Sequence, residues 1–309
     1  AIGILMETEI WPNLVAGCRA QQVPLVLANA RLNEKSRAGA QRLAWLSRPA
    51  YAALAAVWAQ TDQDAARLRS VGAPVAAVFG NLKFDVVPPA TQQAQGRAWR
   101  DASPRPVVLL ASSREGEEAM WLEVFKQKPA LMPTGQALTA INNEAASPIQ
   151  WLVVPRHPQR FDEVQQLLEA AGLRVSRRSQ WGNSQQQADV WLGDSLGEMA
   201  LYYGLSHVAL LGGSFAPLGG QNLIEAAACG CPLVMGPHTF NFAEAADLAL
   251  AAGAALRVAD MAAGVAAASA LARDGPRQAL LAQRCQAFTQ AHRGAALATA
   301  LAVVRQLQA

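Results

Sequence analysis

The sequence predicts an α/β fold in which two Rossmann-like blocks follow one another. Three observations carry that prediction. Short, continuously apolar runs recur along the chain, as strands covered on both faces require. Segments with helical spacing lie between them, so strand alternates with helix. A Pro-rich, polar stretch at 86–105, "VVPPATQQAQGRAWRDASPR", divides the 309 residues into two blocks of that rhythm.

In the first block the strand candidates are "IGILM" (2–6), "PLVLAN" (24–29), "AAVWAQ" (55–60) and "VAAVFG" (75–80). Four strands, opening directly on one, make half of a doubly wound domain. The first domain is therefore expected to be incomplete in this chain, with an unpaired strand edge and apolar surface left on it. Residues 1–85 are assigned to this block and 86–104 to a linker. The second block, 105–285, offers "PVVLLAS" (106–112), "QWLVVPR" (150–156), "DVWLG" (189–193), "HVALLGG" (207–213) and "CPLVMG" (231–236). Helical spacing at 161–172 and 197–204 completes a Rossmann-like domain. Residues 286–309 read as a helix expected to pack back on the first block. Residues 127–149 break the rhythm and are read as an insertion or lid, and 179–187 as a smaller polar loop.

Composition narrows the classes. Hydrophobic residues make up 52% and charged residues 16%, yet the most apolar zone, 245–271, is Ala-rich and interrupted by Asp247, Arg257 and Asp260. That is small-residue helix packing rather than a membrane span. A net charge of +3 is too small to mark a nucleic-acid groove and is compatible with an anionic substrate. The four cysteines include Cys229 and Cys231, too close for ordinary zinc spacing. All four read as reduced and mostly buried, which suits a cytoplasmic setting.

In an open parallel sheet, ligands bind beyond the C-terminal ends of the strands. The loops at those ends are therefore where chemistry is sought. After 207–213 comes "GGSFAPLGGQNLIE" (212–225), with two glycine pairs ahead of a helix start whose bare N–H groups suit an anion. Asn222-x-x-Glu225 has the spacing of a capping box; a carboxylate one turn into a helix can instead accept two hydrogen bonds from a vicinal diol such as ribose. "PRHPQR" (155–160) places Arg156 at a strand end, where its planar fork suits phosphate or base recognition. "DSLGEMALYY" (194–203) starts a helix at Gly197 and Glu198, with Tyr202 and Tyr203 read as core. "METEIWPN" (6–13) puts Glu7 and Glu9 on one side of an extended chain. "GNLKFD" (80–85) presents Lys83, and "ASSREGEE" (111–118) presents Ser112 and Ser113 at another helix start. These strand-end loops come from both blocks, a convergence that solvated charges and caps do not require.

Taken in order, "METEIWPN", "GNLKFD", "ASSREGEE", "VPRHPQRF", "LGDSLGEM", "GGSFAPLGGQNLIEAAACGCPLVMGP" and "NF" (241–242) resemble the 3-deoxy-D-manno-octulosonic acid (Kdo) transferases, the lipid A glycosyltransferases of Gram-negative bacteria. The resemblance spans almost the whole chain outside 127–149. It implies a GT-B fold, two Rossmann-like domains facing a cleft. It also implies inverting transfer of Kdo from CMP-Kdo to a lipid A precursor, in lipopolysaccharide biosynthesis, at the cytoplasmic side of the inner membrane. No bound metal, cofactor or nucleic-acid partner is implied. Carried over by motif, CMP contacts come from Pro155, Arg156, Gly197, Glu198, Met199, Asn222, Leu223, Ile224 and Glu225, with Glu225 on the ribose. Ser214 and neighbouring N–H groups cradle the phosphate. Ser112, Ser113 and Arg114 flank the donor. Glu7 and Lys83 stabilise the transition state, Lys83 by facing developing negative charge.

Two positions depart from the family pattern: Gln221 stands where a His is usual, and Ser113-Arg114 where a Thr-His pair is usual. The family's general base lies in a segment preceding "AIGILME", so it is expected to be absent from this chain. Two other functions remain open on the sequence. One is a UDP-sugar-dependent GT-B enzyme, an epimerase or hexosaminyltransferase. The other is a non-catalytic nucleotide-sugar-binding module.

Overall fold

The computed structural model describes residues 1–127, 149–182 and 187–308. The expected lid at 127–149 falls outside the described residues apart from its two ends, as do residues 183–186 of the polar loop. Two compact units emerge. One comprises Ala1–Val86 with Gln290–Ala309; the other is Val87–Thr289.

The first unit holds β1 (Gly3–Met6), α1 (Pro12–Ala20), β2 (Leu25–Ala30), α2 (Glu34–Arg42), α3 (Ala44–Ala52), β3 (Ala56–Ala59), α4 (Asp62–Ser70) and β4 (Val75–Val78). Its sheet is parallel, in the order β1-β2-β3-β4. The central strands β2 and β3 are buried at every residue, which is why they read as unbroken apolar runs. The edge strands β1 and β4 alternate between half-buried and exposed residues, leaving Ile4 47% and Met6 41% exposed.

The second unit contains α5 (Ala90–Asp101), β5 (Val107–Ser113), α6 (Glu117–Gln127), β6 (Gln150–Pro155), α7 (Phe161–Ala170), β7 (Val175–Arg177), β8 (Val190–Leu192), α8 (Met199–Leu205), β9 (Val208–Leu211), α9 (Leu223–Ala228), β10 (Leu233–Met235), α10 (Ala243–Ala251), β11 (Ala255–Arg257), α11 (Met261–Leu271) and most of α12 (Gly275–Ala291). Its seven parallel strands run β11-β10-β9-β5-β6-β8-β7. The chain starts in the middle at β5, adds β6, the edge strand β7 and then β8 between them on one side, and crosses to β9 on the other. The order therefore reverses between β5 and β9. The three-residue strands β7 and β11 have no counterpart among the expected strands, because "VSR" and "ALR" are too short and polar to register as apolar runs. The core beneath the sheet is centred on Trp121, Phe125 and Trp151, which meet edge to face with centroids 4.6–5.8 Å apart.

Residues 86–104, expected to be a linker, contain α5, and that helix lies against α8. The contact is glycine on glycine. A Cβ on Gly96 would sit 2.2 Å from the Leu201 carbonyl oxygen, and one on Gly204 would sit 2.7 Å from that of Gln93. Trp99 is buried on the same helix. A polar sequence hid a helix whose packing depends on missing side chains.

The last helix, α13 (Ala295–Gln308), belongs to the first unit. Asp85 of "GNLKFD" explains why. Its carboxylate accepts from the N–H groups of Gly294 at 2.6 Å and Ala296 at 2.7 Å, so it caps α13 from across the unit. Phe84 stacks on His292 beside it, at 4.8 Å.

Gly96→Ala should destabilise the second unit by about 1–3 kcal/mol, the usual cost of forcing a methyl into filled space. Thermal unfolding checks this, and Gly275→Ala supplies the control, a glycine of the same unit with open space around its Cβ position and no positive φ.

Candidate functional site

In the second unit the crevice between β5 and β9 is where a ligand of such a sheet is expected. Two loops wall it: Arg114–Gly116 after β5 and Gly212–Asn222 after β9. A buried carboxylate joins them. Glu117, at the start of α6 and fully buried, accepts from the Arg114 N–H at 2.9 Å on its own side. Across the crevice it accepts from the N–H groups of Gly213 at 2.6 Å, Phe215 at 3.0 Å and Ala216 at 3.3 Å. The first glycine pair thus approaches the chain itself. Gly212 has no room for a side chain, since a Cβ would lie 2.4 Å from the Ser112 carbonyl oxygen.

This corrects the expectation for Ser214 and its neighbouring N–H groups. Those amides already bind an anion, the Glu117 carboxylate. Ser214 is fully buried; its hydroxyl donates to the Leu211 carbonyl and accepts from the Gly236 N–H at 2.8 Å. It pins the end of β9 to that of β10 and presents nothing to a ligand. Ser113 is corrected in the same way. It is fully buried and donates to Glu118 at 2.6 Å, and Glu118 takes the Arg160 fork at 2.9 and 3.0 Å.

The second glycine pair is also shaped by the chain. Gly219 and Gly220 have φ of 90° and 78°, a region L side chains avoid. A Cβ on Gly219 would collide with the Asn241 side chain at 2.2 Å. Asn241 holds this turn, donating from its backbone to Gly219 and from its amide to Leu218. Beyond it Asn222 caps α9, its side chain accepting from the Ile224 N–H at 3.1 Å.

Glu225 does not close a capping box. Among the described residues its carboxylate has no hydrogen-bond partner, although it is largely shielded from solvent. Burial raises its pKa above the ordinary carboxyl value, and the nearby Arg156 charge offsets part of that rise. Arg156 is exposed at the end of β6, and its backbone N–H donates to Ser113 at 3.0 Å, which sets it beside the β5 loop. Gln221 and Arg114 are neighbours too. The Gln221 amide nitrogen and the Arg114 side chain lie 3.3 and 3.5 Å from the position a Cβ would take on Gly213.

The other expected contacts divide between backbone and side chain. Leu223 and Ile224 are fully buried, so only their main chain could meet a ligand. Pro155 is buried at the end of β6. Gly197, with φ of 75°, shapes the turn before α8, which Met199 begins. Glu198 is committed to Arg178 at 2.8 Å and to Ser195, so its carboxylate is not free for a ligand. Tyr202 and Tyr203 are core residues, as expected.

In the first unit the two expected catalytic side chains come together. Lys83 Nζ lies 3.6 Å from the Glu7 carboxylate. Arg31, at the end of β2, lies 3.3 Å from the same group. Sequence reasoning missed Arg31; the signal was a cation immediately after the apolar run "LVLANA". Glu7 has φ of 56°, a strained value for a non-glycine residue. The chain turns there, so Glu7 and Glu9 do not share one face of an extended strand, and Glu9 is exposed. Among the described residues no cluster of three or more His, Cys, Asp or Glu could hold a metal, and no helix is long and apolar enough to cross a membrane.

Comparison with known proteins is decisive about kinship. Residues 1–86 match the family model described as 3-Deoxy-D-manno-octulosonic-acid transferase (kdotransferase). The 3-deoxy-D-manno-octulosonic acid transferase of Bordetella pertussis is 48% identical over 294 residues, 95% of this chain. The crystal structure of the C-terminal CMP-Kdo binding domain of WaaA from Acinetobacter baumannii matches with 32% identity and a TM-score of 0.54, over 65% of this chain and 97% of that one. The chain belongs to the Kdo transferase family. It spans 66% of the length of the Bordetella relative. Anabaena HepE, solved with UDP and glucose, is only 12% identical but superposes over 99% of this chain and 77% of its own, with a TM-score of 0.56. The fold of this family member is thus of the GT-B type, built from two Rossmann-like units.

Two outcomes follow from the carboxylates. Glu117→Gln places an amide N–H against donors and should cost about 3 kcal/mol, the scale of charged hydrogen bonds lost with donors left unpaired; chemical denaturation of the full chain measures it. Glu225→Gln should act oppositely and with pH. Because burial raises the folded-state pKa of Glu225 above its unfolded value, its charge is a burden that builds as pH rises from the unfolded value to the folded one and is complete above it. The Gln variant should melt above wild type at pH 8, and the difference should shrink as pH falls below the raised folded value and vanish below about 4, where the unfolded carboxyl is also protonated.

Proposed function

We propose that this chain carries the donor-handling part of a glycosyltransferase that moves Kdo from CMP-Kdo to a lipid A precursor in lipopolysaccharide biosynthesis, at the cytoplasmic face of the inner membrane. The observation that carries this reading is the Glu225 carboxylate. It is shielded, unpartnered among the described residues, and near the exposed Arg156, in a domain whose solved relative is a CMP-Kdo binding domain. A carboxylate in that setting accepts from a ribose diol without displacing an internal bond. Arg156 offers its fork to the CMP phosphate or base, with Pro155 as its anchor in β6. The main chain of Asn222, Leu223 and Ile224 continues the ribose side, and that of Gly197, Glu198 and Met199 faces the base. Arg114 and Gln221 add donors where the sugar's own carboxylate would need them. Glu7 and Lys83 act on charge developing during transfer, Lys83 as the cation and Glu7, with Arg31, as the group that fixes it.

Titration calorimetry tests the donor half directly. CMP should bind the full chain, and UDP should bind at least tenfold more weakly, a difference of about 1.4 kcal/mol. Glu225→Ala should lose about tenfold in CMP affinity while remaining folded, the loss of one or two charge-assisted hydrogen bonds. Tighter binding of UDP than of CMP would overturn the reading. CMP binding should also weaken as pH falls through the raised pKa of Glu225, because the protonated acid accepts from the diol less strongly.

A further inference from the structure

Three consecutive residues outside the expected site, Arg177, Arg178 and Ser179, grip the loop that follows β8. Asp194 of that loop has a buried carboxylate. It accepts from Arg177 Nε at 2.6 Å, and from the backbone and hydroxyl of Ser179 at 2.8 and 2.6 Å. Glu198, at the far end of the loop, accepts from Arg178 at 2.8 Å. Between them the Gly197 carbonyl accepts from Gln92 of α5 at 2.9 Å. Both ends and the middle of 194–198 are therefore fastened to other elements.

Arg178 is held in turn. Its guanidinium carbon lies 5.2 Å from the centre of the Trp99 ring and 5.9 Å from that of Trp181. Those rings meet edge to face at 5.6 Å, and Trp181 packs on Trp191 of β8 at 5.3 Å. Trp181 is locked by its indole N–H, which donates to Ser176 at 2.8 Å. A guanidinium lying on indole faces has one edge left for a carboxylate, and here that edge meets Glu198. The loop carboxylates are consumed by this arrangement. What remains is main chain: Leu196 and Gly197 are exposed, and their N–H groups make no hydrogen bond among the described residues.

We infer that Arg178, seated on Trp99 and Trp181, is the positioning residue for the 194–199 loop and thereby sets how that loop's main chain discriminates the nucleobase of the donor. The inference rests on the proposal that 197–199 face the base of CMP, and it adds a residue that touches neither nucleotide nor sugar. The indole pair fixes the guanidinium, the guanidinium fixes Glu198, and Glu198 fixes the height of the adjoining N–H groups. A lysine cannot replace it, since an ammonium lacks the flat face and the fork.

The test uses the full chain as Arg178→Met, Arg178→Lys and Glu198→Gln, the last breaking the pair without disturbing the tryptophans. Amide hydrogen exchange of 194–199 without ligand should rise in all three, while exchange in β5 and β6 stays as in wild type. CMP affinity should fall by about tenfold, the scale of one desolvated cation–π and ion-pair contact, and the preference for CMP over UMP should narrow. A merely structural role would lower the melting temperature and leave the CMP-to-UMP ratio intact, which overturns the inference. Unchanged loop exchange in Arg178→Met and Glu198→Gln overturns it at the first step. If wild type binds neither nucleotide, the donor reading fails and the discriminating role falls with it, whereas the exchange data still decide whether Arg178 holds the loop.

Discussion

The donor unit is organised around a carboxylate that never meets solvent. Glu117 collects four backbone N–H groups, one from the β5 loop and three from the β9 loop. A buried charge is tolerated only when its lone pairs are filled, and here that requirement fixes both loops at once. They are the two loops between which the strand order reverses, so one residue defines the shape of the crevice. Its neighbour Glu118 performs the complementary task with Arg160 and Ser113, tying β5 to the turn after β6. Two adjacent acids at one helix start thereby hold three strand ends in register.

The remaining acids of this unit sort by whether the chain satisfies them. Asp194 and Glu198 are spent on Arg177, Ser179 and Arg178. Asp189 is spent on Arg174, whose fork pairs with it at 2.9 and 3.0 Å. Glu225 stands apart, shielded yet without a partner among the described residues. The buried carboxylates of Glu117, Glu118, Asp189 and Asp194 are filled by the chain itself, whereas half-buried Glu225 keeps its acceptor sites open, and a diol could complete them.

Apart from Gln22 in the turn between α1 and β2, left-handed non-glycine backbone falls at strand ends in both units. Glu7, Asn29 and Ser112 all have positive φ and all lie at or just beyond the C-terminal ends of parallel strands. Asn29 turns its strain to use, accepting from Leu82 at 3.1 Å so that the Lys83 segment is set beside Glu7. Ser112 bends the chain so that Ser113 points inward and Arg114 outward. Side chains at these positions are aimed by the turn and not by the period of the strand, which is why alternation misplaced Glu9.

Much was legible in the residues alone. Central strands such as "LVLANA" and "VVLLASS" must be apolar throughout because both faces are covered, so their positions, and with them the loops that carry Glu7, Lys83, Arg156 and Glu225, could be read directly. Ordered motifs identified the family. What the residues could not reveal was which polar groups the chain reserves for itself. Glu117 and Glu225 are both acids at helix starts; only the fold shows that one is enclosed by amides and the other is not. Ser214 reads as a ligand hydroxyl until β10 supplies the Gly236 N–H that occupies it. The α5 helix reads as a linker because its packing rests on the absent side chains of Gly96 and Gly204. Local pattern records which surface a segment buries. Partnership of buried polar groups depends on contacts between residues far apart in the chain, up to 99 positions for Glu117 and Ala216, and only tertiary structure decides it.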